Sequence, residues 1–187
     1  MLLAIGVLGA SWKRGFVADT ANGTCTDPSL FTASSWYYDY NVEDPYRAKL
    51  GCAAGGPQAF VPMHWCLSSL DEPVPAYVDK AYMLGFNEPN NIHNCGAHTN
   101  AEAIARAYGR VMADYPKSTL VSPATAGDGR VWFRQFFGNC SAMYGPSGCR
   151  ISHMAIHHYT CNVQWCAAAA RRVRAPRAAP TRRVGAG

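Results

Sequence analysis

A chain of 187 residues with 49% hydrophobic and 16% charged content excludes an intrinsically disordered protein and fits one globular domain. The formal charge of +5 gathers at the end: six arginines and no acid lie from Ala167 onward, which leaves 11 basic against 12 acidic groups, a net of −1, in residues 1–166. A near-neutral body with no basic, aromatic-interleaved face excludes nucleic acid as a partner, and no run reaches the roughly 18 apolar residues of a membrane span.

The first segment, residues 1–12, is an apolar lead-in or partial signal peptide: "MLLAIGVLGAS" ends in small residues but lacks a basic start. Eight cysteines, an even number in scattered positions, predict disulfides and an oxidising compartment, so the expected location is secreted or cell wall. The sequons Asn22-Gly-Thr24 and Asn139-Cys-Ser141 have meaning only there. Six β-rich segments follow in order, at residues 14–18, 34–40, 58–65, 81–87, 118–125 and 153–160. Between the fourth and fifth, Ala101, Ile104, Ala105, Tyr108, Val111, Met112 and Tyr115 make one helical stripe, with Thr99 and Glu102 as an expected capping box and Pro116 as a stop. Residues 131–137, "VWFRQFF", predict a second helix. Strands alternating with helices imply an α/β fold with a parallel sheet. The expected domain spans residues 13–166, and the Arg/Ala/Pro tail of 167–187 reads as disordered.

Working residues of such folds gather where strands end, and "MLGFNEPN" (83–90) puts Glu88 at such an end, between Asn87 and Pro89. Trp36, Tyr38 and Tyr40 share one strand face at period two, as do Val61, Met63 and Trp65, and as do His157 and Tyr159 with His158 opposite. Aromatic faces bordered by hydrogen-bonding groups suit a sugar ring. Barrel-core packing is the plain alternative for each aromatic, a turn cap for Glu88 and a satisfied core position for either histidine. A carboxyl recessed among aromatics predicts a raised pKa, the state of a general acid.

"GFNEPN", with "SWYYDY", "FVPMHW" and "MAIHHYT" in that order around it, resembles the glycosyl hydrolase catalytic core that includes glycoside hydrolase family 128 and the fungal alkali-sensitive linkage proteins. The resemblance covers roughly residues 13–162. It implies a TIM-type (β/α)8 barrel of the retaining clan A, here incomplete at about six of eight βα units, acting on or binding β-glucan, β-1,3-linked in characterised members. Glu88 would be the acid/base and Asn87 would bond the sugar 2-hydroxyl. Trp36, Tyr38, Met63 and Trp65 match positions near the cleft, and His157 and Tyr159 the strand-six pair whose phenol would orient a nucleophile.

The pattern breaks at that nucleophile. Retaining hydrolysis needs a second carboxylate about 5 Å from the first, a glutamate at the end of strand seven in the family, and no Asp or Glu follows Asp128. Asp39 and Asp128 are the nearest substitutes, and neither matches a family role. As written the chain is expected to lack hydrolase activity and reads as truncated or wrongly continued. The alternative is a non-catalytic carbohydrate-binding protein that keeps the aromatic cleft. His64-x-Cys66, His93-x-Cys95-x-x-His98 and His157/His158 with Cys161 supply metal donors without the regular spacing of a zinc site. No metal or cofactor is expected, the partner is a polysaccharide, and the chain is expected to be a monomer.

Overall fold

The computed structural model describes residues 11–18, 23–52, 58–94, 100–157, 159 and 164. The 167–187 tail, the lead-in before residue 11, and Asn22, Cys95, His98, Thr99, His158, Cys161 and Cys166 lie outside these. Strands β1 (Ser11–Val17), β2 (Ser34–Tyr38) and β3 (Ala59–Phe60) form one parallel sheet, and β4 (Tyr82–Met83), β5 (Thr119–Thr125) and β6 (Ile151–Ile156) a second. A parallel bridge between Met63 and Leu84 joins the two, so sequence order is spatial order. Short helices α1 (Asp27–Leu30) and α2 (Pro45–Ala48) serve the first sheet; α3 (Ala101–Asp114) and α4 (Arg130–Tyr144) cover the second. The fold is thus α/β with parallel strands, as expected. Among the described residues the strands form an open array and no closed barrel. β3 and β4 are shorter than the sequence pattern implied, because beyond Phe60 and Met83 the ladder survives only as single bridges.

Each strand has a helix-facing side and an inner side. On β2, Tyr37 is 1% exposed. It packs edge-on against Tyr46 and beside Phe60 and donates to Asp44 Oδ1 at 2.9 Å. Asp44 also caps α2 by accepting from Tyr46 N at 3.1 Å. Trp36 turns inward and lies across β1 at Gly15, where a Cβ would sit 2.3 Å from the indole; only glycine permits that approach.

α3 buries Ala101, Ile104, Ala105, Tyr108 and Val111, the predicted stripe. Its cap differs from the expected one. Asn100 is the N-cap, its Oδ1 accepting from Glu102 N at 2.8 Å and Ala103 N at 3.4 Å, since an asparagine one residue closer to the helix satisfies the same orphan donors. α4 extends well past residue 137, and the Cys140–Cys149 disulfide ties its end to the approach to β6. A second disulfide, Cys25–Cys52, staples the first sheet's loops, and Cys66 is also disulfide-bonded.

His64 belongs to the outer layer. It is 1% exposed, with Nε2 3.1 Å from Tyr115 Oη and Nδ1 3.4 Å from Ser69 Oγ. Burial drives its pKa down to about 4. The unfolded chain therefore takes up the proton first, and stability falls as pH drops from about 6.5 to 4, by on the order of 3 kcal/mol. Urea titrations across that window should show the slope in the parent and lose it in His64→Gln.

Candidate functional site

The site grows from the carboxyl ends of β2, β4, β5 and β6. The β4 segment stays extended past Met83 to Asn87, whose N–H donates to Trp65 O at 2.9 Å on one side while the residue bridges Ala124 of β5 on the other. Glu88 N then donates to Ala124 O at 2.7 Å, and the backbone turns with Glu88 at φ +44°. A non-glycine residue in the left-handed region is strained by about 1–3 kcal/mol and is held there by its surroundings. Tyr40, just beyond β2, is held likewise at φ +48°. His157 continues β6, its N–H donating to Thr125 O at 3.0 Å.

These ends enclose an open cavity of about 370 Å³ lined by Tyr38, Tyr40, Asn87, Glu88, Asn94, Ile156, His157 and Tyr159, within the range of small-ligand sites. Glu88, 5% exposed, lies at its base with both oxygens occupied. Asn91 Nδ2 donates to Oε2 at 3.1 Å and Asn94 Nδ2 at 2.9 Å. His157 Nδ1 lies 2.7 Å from Oε1, and the Tyr159 hydroxyl donates to that same oxygen. An ionised carboxylate only accepts, so Nδ1 carries the proton of that bond.

The electrostatics reverse one expectation. Burial pushes the Glu88 carboxyl up, but the hydrogen bonds from His157, Asn94 and Asn91 together outweigh it and hold the pKa below the ordinary glutamate value. The recess is there, but its donors, which no periodicity announces, stabilise the charged form. Tyr38 moves the other way, pushed up by burial and then by Tyr40, so its phenol stays neutral.

Of the residues singled out from sequence, Tyr38, Asn87, Glu88, His157 and Tyr159 meet at the cavity. Trp36 stacks below Tyr38 with ring centroids 6.3 Å apart, outside the lining. Met63 is buried at 3% exposure beside Leu84 and does not reach the cavity. Trp65 is 44% exposed at the neighbouring strand end, outside the lining. Asp39 is bonded to Lys49 at 3.4 Å and Asp128 to Arg130 at 2.7 Å on the surface; neither lines the cavity. Tyr40, Asn91, Asn94 and Ile156 complete the site. Only Tyr40 was visible beforehand, by its shared face; the asparagines carry a faint signal in their recurrence at 87, 90, 91 and 94.

Three solved structures set this geometry among known folds. An endo-β-1,3-glucanase of glycoside hydrolase family 128 (subgroup I) from Amycolatopsis mediterranei, in complex with laminaritriose, is 18% identical with a TM-score of 0.64; the match covers 90% of this chain and 66% of that one. A subgroup II endo-β-1,3-glucanase from Sorangium cellulosum is 28% identical, TM-score 0.54, covering 73% and 57%. A subgroup VII oligosaccharide-binding protein from Trichoderma gamsii is 16% identical, TM-score 0.59, covering 89% and 63%. The chain thus spans about two thirds or less of the length of these proteins. No curated protein matches the sequence. The Asn-Glu strand end, the imidazole and phenol facing it and the parallel α/β frame accord with the family model that matches residues 9–176: the chain belongs to the glycosyl hydrolase catalytic core family.

Proposed function

We propose that this chain recognises β-1,3-glucan in the cavity over Glu88 and, as it stands, binds the glycan without cleaving it. The observation that carries the reading is the ionised, four-fold hydrogen-bonded Glu88 carboxylate among tyrosines at the sheet edge. A buried carboxylate accepts strongly from sugar hydroxyls, and Tyr38 and Tyr40 supply aromatic faces beside it. The glucan assignment draws on the family and on the laminari-oligosaccharide named for the Amycolatopsis mediterranei enzyme. Turnover by retention needs two carboxylates about 5 Å apart. Among the described residues Glu88 is the one acid lining the cavity.

The hydrolase reading, with Glu88 as acid/base, Asn87 on the sugar 2-hydroxyl and Tyr159 and His157 beside them, is favoured by the left-handed backbone at Glu88, since such strain concentrates at catalytic positions. The disulfides fit an extracellular setting. Among the described residues no helix is long and apolar enough to cross a membrane.

Calorimetry with laminarihexaose beside a reducing-end assay separates the readings. Affinity with no new reducing ends is expected, and Tyr38→Ala, removing an aromatic face from the cavity lining, should weaken binding by about tenfold. Release of reducing ends would restore the hydrolase reading, and absence of affinity would remove both.

A further inference from the structure

Glu88 shares its carboxylate between two walls of different build. A carboxylate has about four acceptor positions, and all four are taken, so an incoming glycan hydroxyl must displace a donor. The two donors on Oε2 come from the loop that follows Glu88, and that loop is locked by its own bonds. Asn91 N donates to Glu88 O at 2.9 Å and Asn94 N to Asn91 O at 3.0 Å. Asn91 Oδ1 accepts from His93 N at 3.1 Å, which fixes the amide so that its Nδ2 points at Glu88 and cannot turn over. Asn90 fastens the loop to the end of β5, accepting from Ala126 N at 2.8 Å and donating to Ala126 O at 2.9 Å. The donors on Oε1 arrive across the cavity, His157 and the hydroxyl of Tyr159, a side chain 76% exposed.

We propose that Asn91 and Asn94 are positioning residues that commit Oε2 of Glu88 to the protein, so that Oε1 is the oxygen offered to a glycan hydroxyl and the exposed Tyr159 phenol is the donor that gives way. The assignment of the ligand rests on reading the cavity as a glucan site. Glu88 is pulled down by the amides as well as by His157, against the upward push of burial, which makes its charge a readout of the clip. The other titratable groups facing it are Tyr38 and Tyr40 from the β2 side and His157 and Tyr159 from the β6 side; among the described residues no further acid or base lines the cavity.

The test is a side-chain carboxyl carbon NMR titration of Glu88 in the unliganded parent, Asn91→Ala, Asn94→Ala and the double variant, with laminarihexaose affinity followed over the same pH range. Loss of both amides should raise the Glu88 midpoint by roughly one pH unit, and the acid limb of binding should move with it. Asn91→Ala leaves the lining untouched and carries the test if the double variant unfolds. An unmoved midpoint in a folded variant overturns the proposal. A raised midpoint in a protein that binds no laminarihexaose upholds the clip and removes the glucan reading.

Discussion

Glu88→Ala is expected to abolish measurable laminarihexaose binding, a loss of at least a hundredfold, while changing folding stability little. The side chain is the common acceptor of Asn91, Asn94, His157 and Tyr159, so its removal turns the base of the cavity into a cluster of donors with nothing to receive from a sugar hydroxyl. The asparagines are on an accessible loop and Tyr159 faces solvent, so water replaces the lost acceptor and the fold is spared. Glu88→Gln discriminates more finely. Its oxygen can satisfy the two asparagines, which puts the amide NH2 where Oε1 was and replaces a charge-assisted contact by a neutral one of about half the strength. Affinity should fall by about tenfold. The pH dependence of binding should also vanish: held below the ordinary glutamate value, the parent's carboxylate is a charged acceptor above that value and loses its charge as pH falls through the lowered one, whereas glutamine does not titrate. An acid/base role predicts the opposite pattern, with binding by Glu88→Gln unchanged. Calorimetry at neutral and acid pH decides between them.

The α3 stripe, the order of six strands and the meeting of Tyr38, Asn87, Glu88, His157 and Tyr159 could be read from the chain because each depends on local period or on a strand's end. Period two says which face a side chain takes but not how deep it lies. Trp36 therefore shared a face with Tyr38 and Tyr40, and Met63 sat near a strand end, without either lining the cavity: Met63 is buried beside Leu84 and Trp36 is laid over Gly15. The charge state of Glu88 was illegible for a related reason. Two of its donors come from a loop with no periodicity and two from residues 157 and 159, some seventy positions on, and the bonds from His157, Asn94 and Asn91 reverse the shift that burial alone would impose. The break in β5 was equally hidden, since a proline in a buried central strand argues against such a strand. Here Ser122 repairs the ladder, its hydroxyl accepting from Ala155 N at 2.9 Å and donating to Pro123 O at 2.8 Å.

That break makes Gly85→Ala the substitution with the largest expected cost to stability. Pro123 has no N–H to give a ladder, and the register of β5 against β6 slips between Val121 and Ala124. Tyr108 reaches from α3 into the gap and donates to Val121 O at 2.8 Å, fully buried. A Cβ on Gly85 would stand 2.0 Å from that hydroxyl and 2.8 Å from both Pro123 N and Ser122 C. A side chain can retreat from such contact, but backbone of a buried strand cannot, so the variant must both eject the phenol and spread β4 from β5. Overpacking costs about 1–3 kcal/mol and the lost buried hydrogen bond about another 1, so a loss of about 3 kcal/mol is expected in urea denaturation. Tyr108→Phe alone should cost about 1 kcal/mol, by leaving Val121 O without its donor. Because Phe removes one of the two obstacles, the double variant should lose less than the sum of the singles, the coupling expected of side chains in contact. Strict additivity, or a Gly85→Ala protein as stable as the parent, would mean that β4 and β5 are not held apart by this hydroxyl. The consequence reaches the site, since Asn87 and Glu88 take their positions from the Ala124 bridge three residues beyond Val121: Gly85→Ala should weaken laminarihexaose binding even in whatever fraction stays folded.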